Sequence, residues 1–232
     1  MMQSLDISVI GWLLGATLQM STPLVLTALG GMFSERSGVV NIGLEGMMLI
    51  GAFTSVAIAY TVGNPWLGLL GAVVGGGLLA AIHAIVSVSF KGNQIVSGAG
   101  IILIGSGIST IGTIMVWGNP GYSAPLSSDK QIPNVEIPII QDIPIIGPAF
   151  GSQSPVVYLM FVIVILSWYV LYRTPFGLRV RAAGEDPSTL DAAGVNVDRT
   201  RILSVVISGC LAGLGGAYLS LGYTKAFGQG MT

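Results

Sequence analysis

Charge is what this sequence has least of. Only 8% of its 232 residues are Asp, Glu, Lys or Arg, against 52% hydrophobic, and so little polar surface cannot enclose a soluble core of this size. Cysteine is nearly absent as well. Cys210 is the single thiol and sits inside an apolar segment, which excludes a disulfide framework and zinc-ligand spacing and leaves it to pack as a small hydrophobe. A net charge of -1 gives no electrostatic footprint for nucleic acid. No glycine precedes Lys91, Lys130 or Lys225 as the phosphate-cradling GxxxxGK[ST] loop requires, so the chain cannot hydrolyse ATP through a P-loop of its own. Features of a cleaved signal are missing too, because Met1 to Ser8 carries no Lys or Arg and the apolar run beyond it continues to Phe33 without a small-residue cleavage site. The first apolar segment is therefore expected to remain.

What is present is a series of apolar runs about 20 residues long, the length that crosses a bilayer as a helix. The mean hydropathy of +0.82 agrees. We expect an all-α, polytopic transmembrane bundle forming one domain over residues 1–232, with spans ending at Phe33 and running over Val39–Val62, Trp66–Phe90, Ile95–Trp117, Val156–Tyr172 and Ile202–Gly222. Gln19, Ser21, Thr22 and Pro23 near the middle of the first span predict a kink or partial unwinding, which suits either a substrate path or helix packing. Ser34 to Gly38 is read as a turn carrying Arg36.

The second span opens with Asn41 and Glu45 in NIGLEGMM. A carboxylate within a span must be paired, protonated, solvated or near the headgroups, and Arg36 is the expected ion-pair partner. Gly71 and Gly75 in the third span, Gly98, Gly105 and Gly112 in the fourth, and Gly209, Gly213 and Gly216 in the sixth form small-residue faces for close helix contact. Asn93 and Gln94 can cap the fourth helix or touch a permeant molecule. His83 is expected to hydrogen-bond a neighbouring helix; a nucleophile pair with Ser106 is the enzymatic alternative.

Residues 118–155 hold seven of the 11 prolines, with Ile-Pro pairs at Ile132, Ile137 and Ile143. That density predicts extended, turn-broken chain without helix, and the single cation Lys130 against Asp129, Glu136 and Asp142 places the loop outside the cytoplasm. The opposite holds for residues 173–201, where nine acidic and basic side chains gather between two spans. Five are arginines (Arg173, Arg179, Arg181, Arg199, Arg201), which places this loop inside. Within it Asp186 can cap a short helix from Pro187 to Ala193, and Gly194 can stop it. By spacing alone the segment is as well read as a solvated linker carrying a topology signal.

Three stretches carry a resemblance: TPLVLTALGGMFSERSGVVNIGLEGMMLIGAF (Thr22 to Phe53), Asn93 to Gly98, and RAAGEDPSTLDAAGVNVDRTRILSVVISGCLAGLGGAYLSLG (Arg181 to Gly222). Together they resemble the permease subunit of bacterial ABC importers in the ribose, branched-chain amino acid and nucleoside branch, and ERSGVVNIGLEGMM is most similar to its nucleoside-type permeases. The resemblance implies a multi-pass inner-membrane protein that is not itself an enzyme and binds no cofactor. It implies a second, homologous permease, a cytoplasmic ATPase carrying ATP and Mg, and an extracytoplasmic substrate-binding lipoprotein as partners.

The loop would supply the coupling helix that docks on the ATPase, formed by Asp186, Pro187, Leu190, Asp191, Ala192, Ala193 and Gly194. Its Asp-Ala-Ala-Gly core differs from the Glu-Ala-Ala form of better-known importers. Polar lining of the path is expected from Gln19, Asn41, Glu45 and Asn93. Family members continue through further spans after Gly-Met-Thr, which implies a C-terminally truncated chain. Nucleosides are the expected solute, with simple sugars or branched-chain amino acids as alternatives in the same class; an ion-gradient-driven secondary transporter is the alternative mechanism.

Overall fold

The computed structural model describes residues 7–138 and 146–232; residues 1–6 and 139–145, which include Asp142 and the Ile-Pro pair at Ile143, lie outside the described residues. Among the described residues six helices are long and apolar enough to cross a membrane. They are α1 (Ile7–Arg36), α2 (Leu44–Val62), α3 (Pro65–Ala84), α4 (Gln94–Trp117), α6 (Pro155–Arg173) and α9 (Val197–Ala217). Wider π-type turns extend α3 over Ile85–Ser89 and α9 over Tyr218–Tyr223. Between α4 and α6 lie a hairpin of β1 (Val135–Glu136) with β2 (Ser152–Gln153) and the short helix α5 (Ile146–Phe150). Between α6 and α9 lie α7 (Pro175–Glu185) and α8 (Pro187–Ala192).

The bundle is built around α9, which packs on α1, α2 and α3. Lipid is as apolar as leucine, so burial alone does not hold such helices together and close van der Waals contact must. Glycine supplies it. The backbone of Gly51 in α2 lies against Gly213, Gly76 in α3 against Gly209 and Gly213, and Gly216 against the Met48 carbonyl. On α4 the expected face of Gly98, Gly105 and Gly112 packs on Gly43, Gly46 and Phe53, whereas Gly100 and Gly107 have open space beside them. Gly71 and Gly75 of α3 meet side chains of α2, so the closest approach of that helix runs instead through Gly68 and Gly76.

Three sequence expectations are corrected. The helix α1 continues through Pro23 to Arg36 without unwinding. Ser21 and Thr22 satisfy their hydroxyls on the Leu18 carbonyl, at 3.2 and 2.7 Å, so neither needs a break in the helix to find a partner. The second span is not helical from Val39; residues 39–43 are irregular and α2 begins at Leu44. The proline-rich loop does contain a helix, α5, because Pro148 falls in its first turn, where a backbone N–H has no helical partner to lose.

Candidate functional site

Two regions hold the predicted functional residues, and one arginine joins them. The first is the polar segment from α7 to the start of α9. Asp186 caps α8: its Oδ1 accepts from Ser188 Oγ at 2.6 Å and from the Thr189 amide at 3.1 Å, and its Oδ2 from Thr189 Oγ1 at 2.5 Å. The Ser188 hydroxyl first, and then the Thr189 hydroxyl and amide, lower the carboxyl pKa to about 2, so the cap is ionised at neutral pH and favourably placed at a helix N-terminus. Pro187 takes the first helical position. Gly194 at φ +78° ends the helix, its amide donating to Asp191 O at 2.8 Å while the Val195 amide returns to Leu190 O at 3.2 Å. Leu190 is the one buried side chain of α8; Ser188, Asp191, Ala192 and Ala193 face outward. A groove of about 380 Å³ lies between Pro187, Ser188 and Asp191 on one side and Asn196, Val197 and Asp198 on the other.

This helix rests on a second that sequence reading missed. Helix α7 opens with a legible signal, since the Thr174 hydroxyl accepts from the Gly177 amide at 3.2 Å and Pro175 follows at the first helical position. It escaped notice because its 11 residues were read as part of one hydrophilic loop. The Gly184 backbone packs against Arg36 O and Gly38 N, and Gly38 holds φ +85°, so no side chain fits at either position. Arg201 of α9 closes the junction, donating from Nε to Ser37 O at 3.1 Å and from Nη2 to Ala183 O at 2.8 Å.

The second region begins where that junction ends. Residues 39–43 rise beside the first turns of α4, and the Val40 amide donates to Gln94 Oε1 at 2.8 Å. Asn41 is buried and donates to Ser208 Oγ at 3.2 Å and to Met47 Sδ at 3.5 Å, while its Oδ1 has no partner. Glu45 follows in the first turn of α2. It is exposed, and among the described residues no ion pair joins it to Arg36; the expected pair is absent because Glu45 faces a hollow lined by Leu24, Thr27, Ala28, Leu44, Met48 and Thr232.

The four residues expected to line a path are not brought together: Glu45 faces the hollow just described, and Asn41 is buried against Ser208. Gln19 lies at a separate hollow with Trp12 and Pro148, donating to Gln153 Oε1 at 2.9 Å. Asn93 caps α4, accepting from the Ile95 and Val96 amides at 2.9 and 3.2 Å. His83 bonds a neighbouring helix as expected, its Nδ1 lying 2.9 Å from Ser97 Oγ of α4. Ser106 Oγ instead meets Gln229 Nε2 at 2.7 Å, so the His83–Ser106 pair that an intramembrane nucleophile needs is not assembled. Thr27 and Met48 were not singled out from the sequence, and Arg201 entered only as one of five arginines that orient the loop; the fold brings all three to these regions.

A family profile described as branched-chain amino acid transport system / permease component matches residues 13–232. The chain belongs to this family. Among its relatives, the guanosine ABC transporter permease protein NupQ of Bacillus subtilis is 43% identical over 224 residues, spanning 90% of this chain and 67% of that protein. The putative glucose ABC transporter permease protein TsgC13 of Haloferax volcanii is 39% identical over 224 residues, 95% of this chain and 66% of that one. The nucleoside ABC transporter permease protein NupC of Lactococcus lactis is 40% identical over 204 residues, 85% and 63% of the two chains. This permease-family chain thus spans about two thirds of the length of the curated relatives it matches. No solved structure matches it.

Proposed function

We propose that this chain is a membrane-spanning permease subunit of an ATP-driven importer of nucleosides. The arginine-rich end faces the cytoplasm, where α8, capped by Asp186 and stopped by Gly194, presents Pro187, Asp191, Ala192 and Ala193 over the buried Leu190 as the surface that a separate ATPase engages. The observation that carries the reading is the mechanical continuity from α8 to the irregular stretch before α2. A capped helix that packs on α7 and buries Leu190 can transmit a push, and α7 is tied to Ser37 and Gly38 through Arg201 and Gly184. A flexible linker could not do this.

ATP and Mg belong to the ATPase, and this chain supplies the path. When the ATPase dimer closes, α8 moves with it, and helices packed through glycine rock as rigid bodies so that the path opens alternately to either side. A second, homologous permease covers the faces of α1 and α4 left open here, and an extracytoplasmic substrate-binding lipoprotein delivers the solute. Two of the three relatives described carry nucleoside or guanosine in their names and one carries glucose, which favours nucleosides and keeps a sugar as the competing solute.

The test is uptake by membranes containing the full-length chain with its partner subunits, using labelled guanosine, glucose and leucine. ATP-dependent accumulation of guanosine that survives collapse of the proton gradient is expected. Accumulation of glucose or leucine alone would overturn the nucleoside assignment. Guanosine uptake that persists without ATP and stops with the gradient would establish a secondary transporter.

A further inference from the structure

Two irregular stretches of chain enter this bundle from opposite ends and come to one hollow, the first through Leu44 and Glu45 that follow it and the second through Thr232. The first is residues 39–43. The Gly46 backbone lies against Ile101 and Ile102 of α4, seven to eight residues beyond the first residue of that helix, so α2 starts about 10 Å inside the arginine-rich end at 1.5 Å per helical residue. The second follows α9. Past Tyr223 the chain turns back instead of leaving: Phe227 is buried with its ring 5.7 Å from Phe53, Gln229 reaches Ser106 halfway along α4, and Thr232 lines the same hollow as Glu45.

Irregular backbone at this depth is tolerated only where protein buries it or water reaches it, and a hollow opens beside Leu44, where the first stretch ends. The hollow beside Glu45 measures about 620 Å³. It shares Ala28 and Leu44 with a second of about 670 Å³ lined by Gly31, Met32, Glu35 and Arg36, which continues it to the arginine-rich end.

We propose that this meeting point is a solute station, in which the Glu45 carboxylate and the Thr27 hydroxyl accept hydrogen bonds from a neutral solute rich in hydroxyl and ring N–H donors. The proposal rests on the importer reading above and specifies its ligand chemistry. A carboxylate placed inside a span needs a polar partner, and among the described residues Glu45 has no ion pair while facing open space. Thr27 Oγ1 donates to Met48 Sδ at 3.2 Å, which leaves the lone pairs of its oxygen to accept from a solute donor. Leu24 and Met48 present apolar surface on either side, suited to the face of a ring. A buried acceptor, Asn41 Oδ1, stands without a partner in the stretch before α2. Nothing among the residues lining it is cationic, so phosphorylated solutes are excluded by charge.

The test uses the full-length chain assembled with its partner subunits in proteoliposomes, with every native thiol of the complex replaced, Cys210 by Ala, and Thr27→Cys introducing one at the station. A membrane-impermeant maleimide is expected to label Thr27→Cys, and the transported nucleoside is expected to slow labelling several-fold where its 5′-phosphate does not. Ala28→Cys, exposed in both hollows, serves if the first variant fails to assemble. Glu45→Gln is expected to raise KM for uptake about tenfold, a loss of about 1.4 kcal/mol, with a smaller effect on kcat, and Glu45→Asp to recover part of it. Thiols that stay unlabelled, or that label at the same rate with and without nucleoside in a complex that still transports, would overturn the station while leaving the importer reading intact. If the parent complex moved no nucleoside, sugar or amino acid with ATP, the importer reading would fall and the station with it.

Discussion

Arg201 and Ser37 are 164 positions apart in sequence, yet the arginine Nε donates to the serine carbonyl at 3.1 Å. The same side chain holds Ala183 O at 2.8 Å, so one guanidinium ties the start of α9, the end of α7 and the turn after α1 into a single junction. Each of these bonds has a charged donor and a backbone acceptor, a combination worth about 1.5–3 kcal/mol.

If that junction transmits the push, replacing Arg201 should separate ATP use from transport. In Arg201→Gln we expect the number of solute molecules moved per ATP to fall about tenfold while ATP hydrolysis continues, and Arg201→Lys, with one donor group in place of a fork, to fall between. The ratio is read from parallel uptake and phosphate-release assays. A ratio unchanged in Arg201→Gln would show that the arginine only braces the fold.

Close packing on α9 makes a contrast between two glycines. A side chain at Gly213 would run into the Ala72 carbonyl, whereas one at Gly107 meets nothing within 4 Å. Gly213→Val forces α3 and α9 apart and is expected to destabilise by about 1–3 kcal/mol. Its monodisperse fraction on detergent size-exclusion should drop, while Gly107→Val should elute as the parent does. Equal profiles would mean that α3 and α9 do not pack through this contact in the assembled protein.

The cap on α8 has a defined acid limit. The Asp186 carboxyl is held at about 2, below its ordinary value of 3.8, first by the Ser188 hydroxyl. Its folded-state pKa is depressed, so its contribution is complete above 3.8 and is lost as pH falls through about 2. A carboxyl titration followed by carbon NMR should give a midpoint near that lower value in the parent, and one closer to 3.8 in Ser188→Ala with Thr189→Val. An ordinary midpoint in the parent would show the cap to be unformed.

Most of the spans were legible because bilayer length and helix period are strong constraints, and the cap and stop of α8 were legible because Asp186, Pro187 and Gly194 each have a local preference that the fold does not override. The interrupted start of α2 was not. Val39, Val40 and Ile42 are as apolar as any helix interior, and the stretch is held out of a helix by bonds its local pattern does not show: both backbone groups of Val39 bond Ser34, the Val40 amide bonds Gln94, and Asn41 bonds Ser208. Glu45 was paired with Arg36 on nearness in sequence, but the irregular stretch carries it past the arginine to face Thr27. The reach of Arg201 to Ser37 depends on three elements meeting, which no local pattern encodes.

The claim that α8 is where an ATPase engages this chain is tested most directly at Ala192, an exposed alanine whose replacement disturbs no buried contact. The full-length tagged chain and its Ala192→Trp variant are purified from native membranes in mild detergent, and the proteins that accompany each are identified. The account predicts that an ATPase and a second permease accompany the parent, and that the variant keeps the permease and its own elution profile but loses the ATPase. An ATPase bound equally to both would place its docking site elsewhere and contradict the account.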